Sequence, residues 1–211
     1  MSASQNKLSI SPDGESFPLP EQADYAAEYE RVKALAEAAR AKGQEVVVVM
    51  GVGFVGAVMA AIVADCTDRD GRPRKFVIGC QRPSTRSFWK IPLLNRGVSP
   101  VKAEDPQVDV LIGRCVNDRK TLTATYNSQV IDLADCVVID VQCDFLKQEL
   151  GNMKSGECDM AALEATLKTV GQHIRPECLV LIETTVAPGT TEFVAWPILK
   201  KAFANRGITS V

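Results

Sequence analysis

Gly51-Val52-Gly53-Phe54-Val55-Gly56 follows directly on the apolar run Val46–Met50 and leads into the small-residue stretch Ala57–Ala61. Strand, glycine turn and helix in that order is the setting in which a G-x-G-x-x-G holds the pyrophosphate of a dinucleotide. Gly51 permits the tight turn, and Gly53 lets the backbone approach a phosphate with no Cβ in the way. Gly56 allows the helix to lie close on its strand. The unpaired N–H groups and dipole at the helix start favour negative charge. Close helix-on-strand packing without any ligand uses the same glycines, so the turn alone leaves both readings open.

At the end of the next strand an acidic residue would hold the ribose hydroxyls of NAD. The sequence there is Lys75-Phe-Val-Ile-Gly-Cys80-Gln81-Arg82-Pro83, with Arg86 a little further on. Gln81 can hydrogen-bond a ribose hydroxyl, though without the strength of a charged acceptor. Arg82 and Arg86 suit a 2′-phosphate, which brings NADP into competition with NAD.

Seven cysteines (66, 80, 115, 136, 143, 158 and 178) include no C-x-x-C spacing, and His173 is the one histidine. That set does not make a zinc site, and no metal is expected. The thiols read as reduced and mostly buried in a cytoplasmic protein.

The elements that must position these residues alternate. Strands are expected at 45–50, 75–80, 121–125, 136–141 and 178–183, each nearly continuous in apolar character, as strands covered on both faces are. Helices are expected at 54–65, 84–95, 127–133, 160–174 and 190–204. The alternation predicts an α/β fold, a Rossmann-like doubly wound parallel sheet forming a single domain. The stretch 97–118 reads as irregular and 144–158 as a polar loop. Ahead of this domain (45–211), residues 1–44 read as an N-terminal extension. Its first twenty residues, rich in Ser and Pro, form a flexible or loosely docked arm. A helix then carries a stripe of Tyr25, Tyr29, Val32, Leu35 and Ala39, closed by Gly43. The stripe packs on the following domain or serves as an amphipathic partner helix.

The 211 residues suffice for a sizeable core, and a net charge of −2 gives no bulk attraction to nucleic acid or to an anionic membrane surface. No apolar run reaches the roughly 18 residues of a spanning helix. Neither nucleic acid nor membrane is expected as a partner.

Four stretches resemble one family. "VMGVGFVG", "FVIGCQRPSTR", "LNRGVSPVKAEDP" and "LVLIETTVAPGTTEFVAWPILKK" are similar, in order, to segments of the cofactor-binding N-terminal domain of the UDP-glucose/GDP-mannose dehydrogenases. The last stretch is the most specific match. The resemblance spans about Val46 to Ile208 and implies oxidation of a nucleotide-sugar C6 alcohol toward the uronate, chemistry that belongs to polysaccharide biosynthesis, in two hydride transfers to NAD.

By the same resemblance, Gly51 to Gly56 embrace the pyrophosphate, Arg86 lies by the adenosine ribose, and Val141-Gln142-Cys143 pass beneath the cofactor. Thr185 matches an active-site threonine and Glu183 an acidic residue two places before it. Read without the family, Glu183 and Thr185 equally form a strand-end turn whose hydroxyls cap the next helix.

Two departures stand out. Val141-Gln-Cys-Asp144 replaces a proline-containing segment, and the family's nucleophilic cysteine belongs to a later motif. None of the seven cysteines has a setting that would lower its thiol pKa; Cys143 alone sits at a strand's C-terminal end. The chain is therefore expected to be the cofactor half of a nucleotide-sugar dehydrogenase, catalytically incomplete by itself, its end reading as a helix, a turn and the start of another strand. The alternative is a non-catalytic dinucleotide-binding or interaction module, in which the N-terminal extension is a docking element. Its partners would be the nucleotide sugar, once joined to the missing domains, and another copy or a partner subunit.

Overall fold

The computed structural model describes residues 7–152 and 155–209. Its centre is a five-stranded parallel sheet of β3 (Glu45–Met50), β4 (Lys75–Cys80), β5 (Leu122–Thr125), β6 (Cys136–Ile139) and β9 (Leu179–Ile182). The order across the sheet is β5-β4-β3-β6-β9. From β3 the chain moves outward to β4 and β5, then returns to the other side of β3 for β6 and β9. This reversal is the switch point of a doubly wound sheet.

The central strands are buried on both faces, which their unbroken apolar sequence requires. On one face Val47, Val49, Val77 and Val138 pack against α2 (Phe54–Ala64), α3 (Lys90–Asn95) and α4 (Gln107–Gly113). On the other, Val46, Val48, Ile78 and Ile139 meet α1 (Asp24–Arg40), α5 (Ala161–His173) and α6 (Trp196–Asn205). The alanine face of α2 lets that helix sit close to the sheet: Ala57, Ala60, Ala61 and Ala64 are fully buried.

Helix α1 is part of this second layer. The connection from β5 to β6 contains only a short 3₁₀ turn, Ser128–Leu133, where a helix was expected. So short a connection leaves sheet uncovered, and Val32, Ala36 and Ala39 of α1 cover it. Ala36 takes the buried place expected for Leu35, which faces solvent. The helix stops at Gly43, whose φ of +77° is the left-handed turn of a helix end.

Three stretches read as irregular hold structure. In the arm, residues 1–6 lie outside the described residues, but 8–18 form a docked hairpin of β1 (Leu8–Ile10) and β2 (Ser16–Pro18). Buried Ser9 accepts the Trp89 N–H at 3.1 Å, and Glu15 pairs with Arg96 at 2.8 Å. The stretch 97–118 contains α4 and a π-helical turn, Arg114–Asp118. The polar loop 144–158 begins and ends in β7 (Asp144–Leu146) and β8 (Glu157–Asp159), paired antiparallel.

Conversely, the helix expected at 84–95 is regular only over Lys90–Asn95, and the one expected at 190–204 opens with a π-helical turn, Thr191–Ala195. Of the strand expected after this last helix, residues 208–209 are not extended into the sheet, and 210–211 lie outside the described residues.

Candidate functional site at the strand ends

Parallel strands end on one side, and the register fixes which residues meet there. Met50 pairs with Cys80 and with Ile139, and Ile139 with Ile182. The next row therefore holds Gln81, Gly51, Asp140 and Glu183, side by side across the switch point, where open α/β sheets bind ligands.

The three glycines of the turn do different jobs. Gly51 has φ +99°, and a Cβ there would collide with the Asp140 carbonyl. A Cβ on Gly56 would collide with the Gly51 carbonyl and approach the Asp140 carboxylate to 2.8 Å. Both are spaces closed by the protein's own backbone. Gly53 differs. It has ordinary backbone angles, φ −83° and ψ −157°, and a Cβ there would meet nothing within 4 Å. Its openness is no demand of the fold, and it leaves room directly over the start of α2. The first N–H groups of that helix have no acceptor within it. Among the described residues only Asp140 offers one, to Gly56. The cradle thus fits a diphosphate: an open approach at Gly53 above the free N–H groups of Phe54 and Val55.

Asp140 was not singled out from sequence. Its only signal is an acid ending an apolar strand, and that does not reveal where the carboxylate points. Burial raises its pKa, the neighbouring Glu183 carboxylate raises it further, and the Gly56 N–H partly opposes both.

On the β4 side of the switch point, Gln81 does not stand free. Its Oε1 accepts the Val52 N–H at 3.1 Å, so the glutamine ties the turn to its own strand end. Arg82 and Arg86 are exposed, and no described residue pairs with either guanidinium. The site is therefore polarised, with basic groups beside β4 and acidic ones beside β6 and β9.

Val141 packs beneath Gly51, Gln142 is exposed with its amide on Asp144, and Cys143 is half-buried. At the end of β9, Glu183 donates its backbone N–H to the Ile139 carbonyl at 2.9 Å, and its side chain is exposed. The Thr185 side chain is exposed too, with no hydrogen-bond partner among the described residues. It does not cap the following helix. Thr190 closes that turn instead, donating its hydroxyl to the Ala187 carbonyl at 2.7 Å. Glu183 stands beside Asp140 near the glycine turn, while nothing in the described structure links Thr185 to them. Among the described residues no cluster of three His, Cys, Asp or Glu could hold a metal, and no helix is long and apolar enough to cross a membrane.

Comparison with known proteins agrees with this geometry. Residues 45–210 match the model of the UDP-glucose/GDP-mannose dehydrogenase family, NAD binding domain. GDP-mannose 6-dehydrogenase of Pseudomonas putida is 27% identical over 168 residues, covering 76% of this chain and 34% of that protein. Among solved structures, NDP-N-acetyl-D-galactosaminuronic acid dehydrogenase from Methanosarcina mazei aligns with a TM-score of 0.66 and 34% identity, over 80% of this chain and 33% of the other. A ternary complex of GDP-mannose dehydrogenase from Pseudomonas aeruginosa aligns at 0.58 and 26%, over 74% and 32%. The chain thus spans about a third of the length of these relatives.

Proposed function

The chain belongs to the UDP-glucose/GDP-mannose dehydrogenase family, with residues 45–210 as its NAD-binding domain, and from that premise we propose that it supplies the nicotinamide-dinucleotide site for oxidising a nucleotide sugar at its C6 alcohol. The observation that carries this is the contrast within the turn. Gly51 and Gly56 are glycine because the backbone leaves no space, whereas Gly53 is glycine beside open space.

The bound dinucleotide would accept the hydride; this chain's residues bind and orient it. Phe54 and Val55 present N–H groups to the diphosphate, with Val52 held in place by Gln81. Arg82 and Arg86, unpaired on the adenosine side, are placed for an additional phosphate on the ribose, so NADP(H) is accepted alongside NAD(H). Val141, Gln142 and Cys143 form the floor beyond the switch point. Glu183 and Thr185, exposed after β9, are the groups we assign to the reacting end, where the sugar would be held together with parts of the protein that the relatives have and this chain does not span. Neither nucleic acid nor a membrane surface enters this reading, which is that of a cytoplasmic enzyme component working with another copy or a partner subunit.

Fluorescence titration with NADH and NADPH tests the assignment. Saturable binding of at least one is expected, and Gly53→Val should abolish it while leaving the unfolding transition in place, since no atom lies within 4 Å of a Cβ there. Absence of binding at millimolar cofactor, or undiminished binding by Gly53→Val, overturns the reading. Replacing Arg82 and Arg86 by Ala should weaken NADPH more than NADH; equal weakening removes their role at the second phosphate.

A further inference from the structure

The seven cysteines are all free, yet two of them are neighbours. The sulfurs of Cys143 and Cys158 stand 3.3 Å apart, both half-buried. They are 15 positions apart in sequence. They meet because β7 and β8 pair with Phe145 opposite Cys158 and Asp144 opposite Asp159, which sets the two thiols diagonally at the base of the hairpin. A disulfide needs about 2.05 Å between sulfurs.

The hairpin they join is weakly held otherwise. Each strand has three residues, and an isolated two-stranded hairpin is marginal in water. Phe145 and Leu146 are exposed, and Leu150 at the loop is almost wholly so. Little apolar burial fastens this element to the domain. Its base, however, continues through Gln142 and Val141 into Asp140, beside the glycine turn.

We propose that Cys143 and Cys158 form a reversible dithiol–disulfide site that fastens the β7–β8 hairpin next to the strand-end site. The inference rests on the placement of the two sulfurs and stands whether or not a dinucleotide binds. The oxidant is a low-molecular-weight disulfide such as oxidised glutathione. One cysteine, as thiolate, attacks a sulfur of the reagent, forming a mixed disulfide and expelling one glutathione thiolate. The other cysteine then attacks the protein-bound sulfur, forming the Cys143–Cys158 bond and expelling the second glutathione. The protein thiols give up two electrons and two protons, and the reagent's sulfur–sulfur bond takes both electrons. Until then burial, the hydrogen bond and charge of Cys158, and the carboxylates of Asp144 and Asp159 hold the Cys143 pKa up to about 11, which keeps it a thiol.

Treating the full chain with oxidised glutathione, blocking the remaining thiols and mapping peptides without reduction tests this. The expected product joins the Cys143 and Cys158 peptides with loss of two hydrogens, reversibly with dithiothreitol. Cys66, exposed and without a neighbouring thiol among the described residues, should instead keep one glutathione. In Cys158→Ser, Cys143 should retain glutathione with no cross-link. Proteolysis within 147–156 should slow several-fold on oxidation of the natural chain and not in that variant. Recovery of both thiols alkylated while Cys66 is modified, or a cross-link to other cysteines, overturns the site. A cleavage rate unchanged by the cross-link overturns the fastening.

Discussion

At one outer strand of the sheet, β5, the outward N–H and carbonyl of Ala124 are both taken by the amide of Asn95, at 2.6 and 3.0 Å, as a neighbouring strand would take them. Arg31 of α1 adds bonds to the same carbonyl at 3.0 Å and to the Thr123 hydroxyl at 3.2 Å. At the other outer strand, β9, alternation turns the N–H groups of Val180 and Ile182 outward, and no described residue accepts from them. Leu179 and Leu181 are 57% and 43% exposed on one face of that strand. Beside it runs an apolar groove of about 300 Å³ lined by Ile174, Cys178, Val180, Trp196 and Phe203. One edge is sealed by side chains that imitate a strand, while the other keeps its backbone and apolar surface available. A sheet can therefore be complete on one side and open on the other within one sequence-continuous domain.

The comparison breaks most severely at Asn95. Asn95→Ala leaves the N–H of the fully buried Ala124 without its acceptor and its carbonyl with Arg31 alone, and urea unfolding should register a loss of about 2 kcal/mol. A loss below about 0.5 kcal/mol would mean that the edge is not sealed there. Next comes Asp135, which ties the start of both halves: it accepts the Val46 N–H and the Arg40 and Arg175 guanidiniums, each at 2.8 Å. Burial acts to raise its pKa, but these donors outweigh burial and lower it. A lowered folded-state pKa means that its stabilisation is present above the ordinary aspartate value of 3.8 and fades as pH falls through the folded value. Asp135→Asn should accordingly cost about 2 kcal/mol at neutral pH, with the difference shrinking in acid. A pH-independent difference would contradict the charge-based account.

Arg31→Met keeps most of the packing of α1 and removes its bonds to β5, for an expected cost of about 1 kcal/mol. The smallest effect belongs to the open edge. Leu181→Lys should change stability by no more than about 0.5 kcal/mol and reduce any self-association seen by sedimentation. A cost well above 1 kcal/mol would show Leu181 covered in solution.

The five sheet strands were legible from sequence to within a residue or two because β3, β4 and β6, largely covered on both faces, are almost entirely apolar, and β9 is apolar as well although one of its faces is exposed. The glycine turn was legible because its strand and helix flank it. The two hairpins were not, since three-residue strands carry no readable period and one of them lay in a segment rich in polar residues. The crossover at 127–133 read as a helix from its apolar content, but ten residues between β5 and β6 leave room only for a 3₁₀ turn. Leu35 and Ala36 exchanged places because the stripe spacing marks a helical face only to within one residue.

By itself the sequence determined the alternation of elements, the position of the turn and the family stretches, all of which follow from local chain chemistry. The tertiary structure decided what local chemistry cannot. Strand order brought Asp140 and Glu183 together beside the turn, and a docked extension completed a layer of the domain. Hairpin pairing placed two distant thiols in contact. Each depends on residues far apart in the chain, whose distance is set by packing and not by spacing.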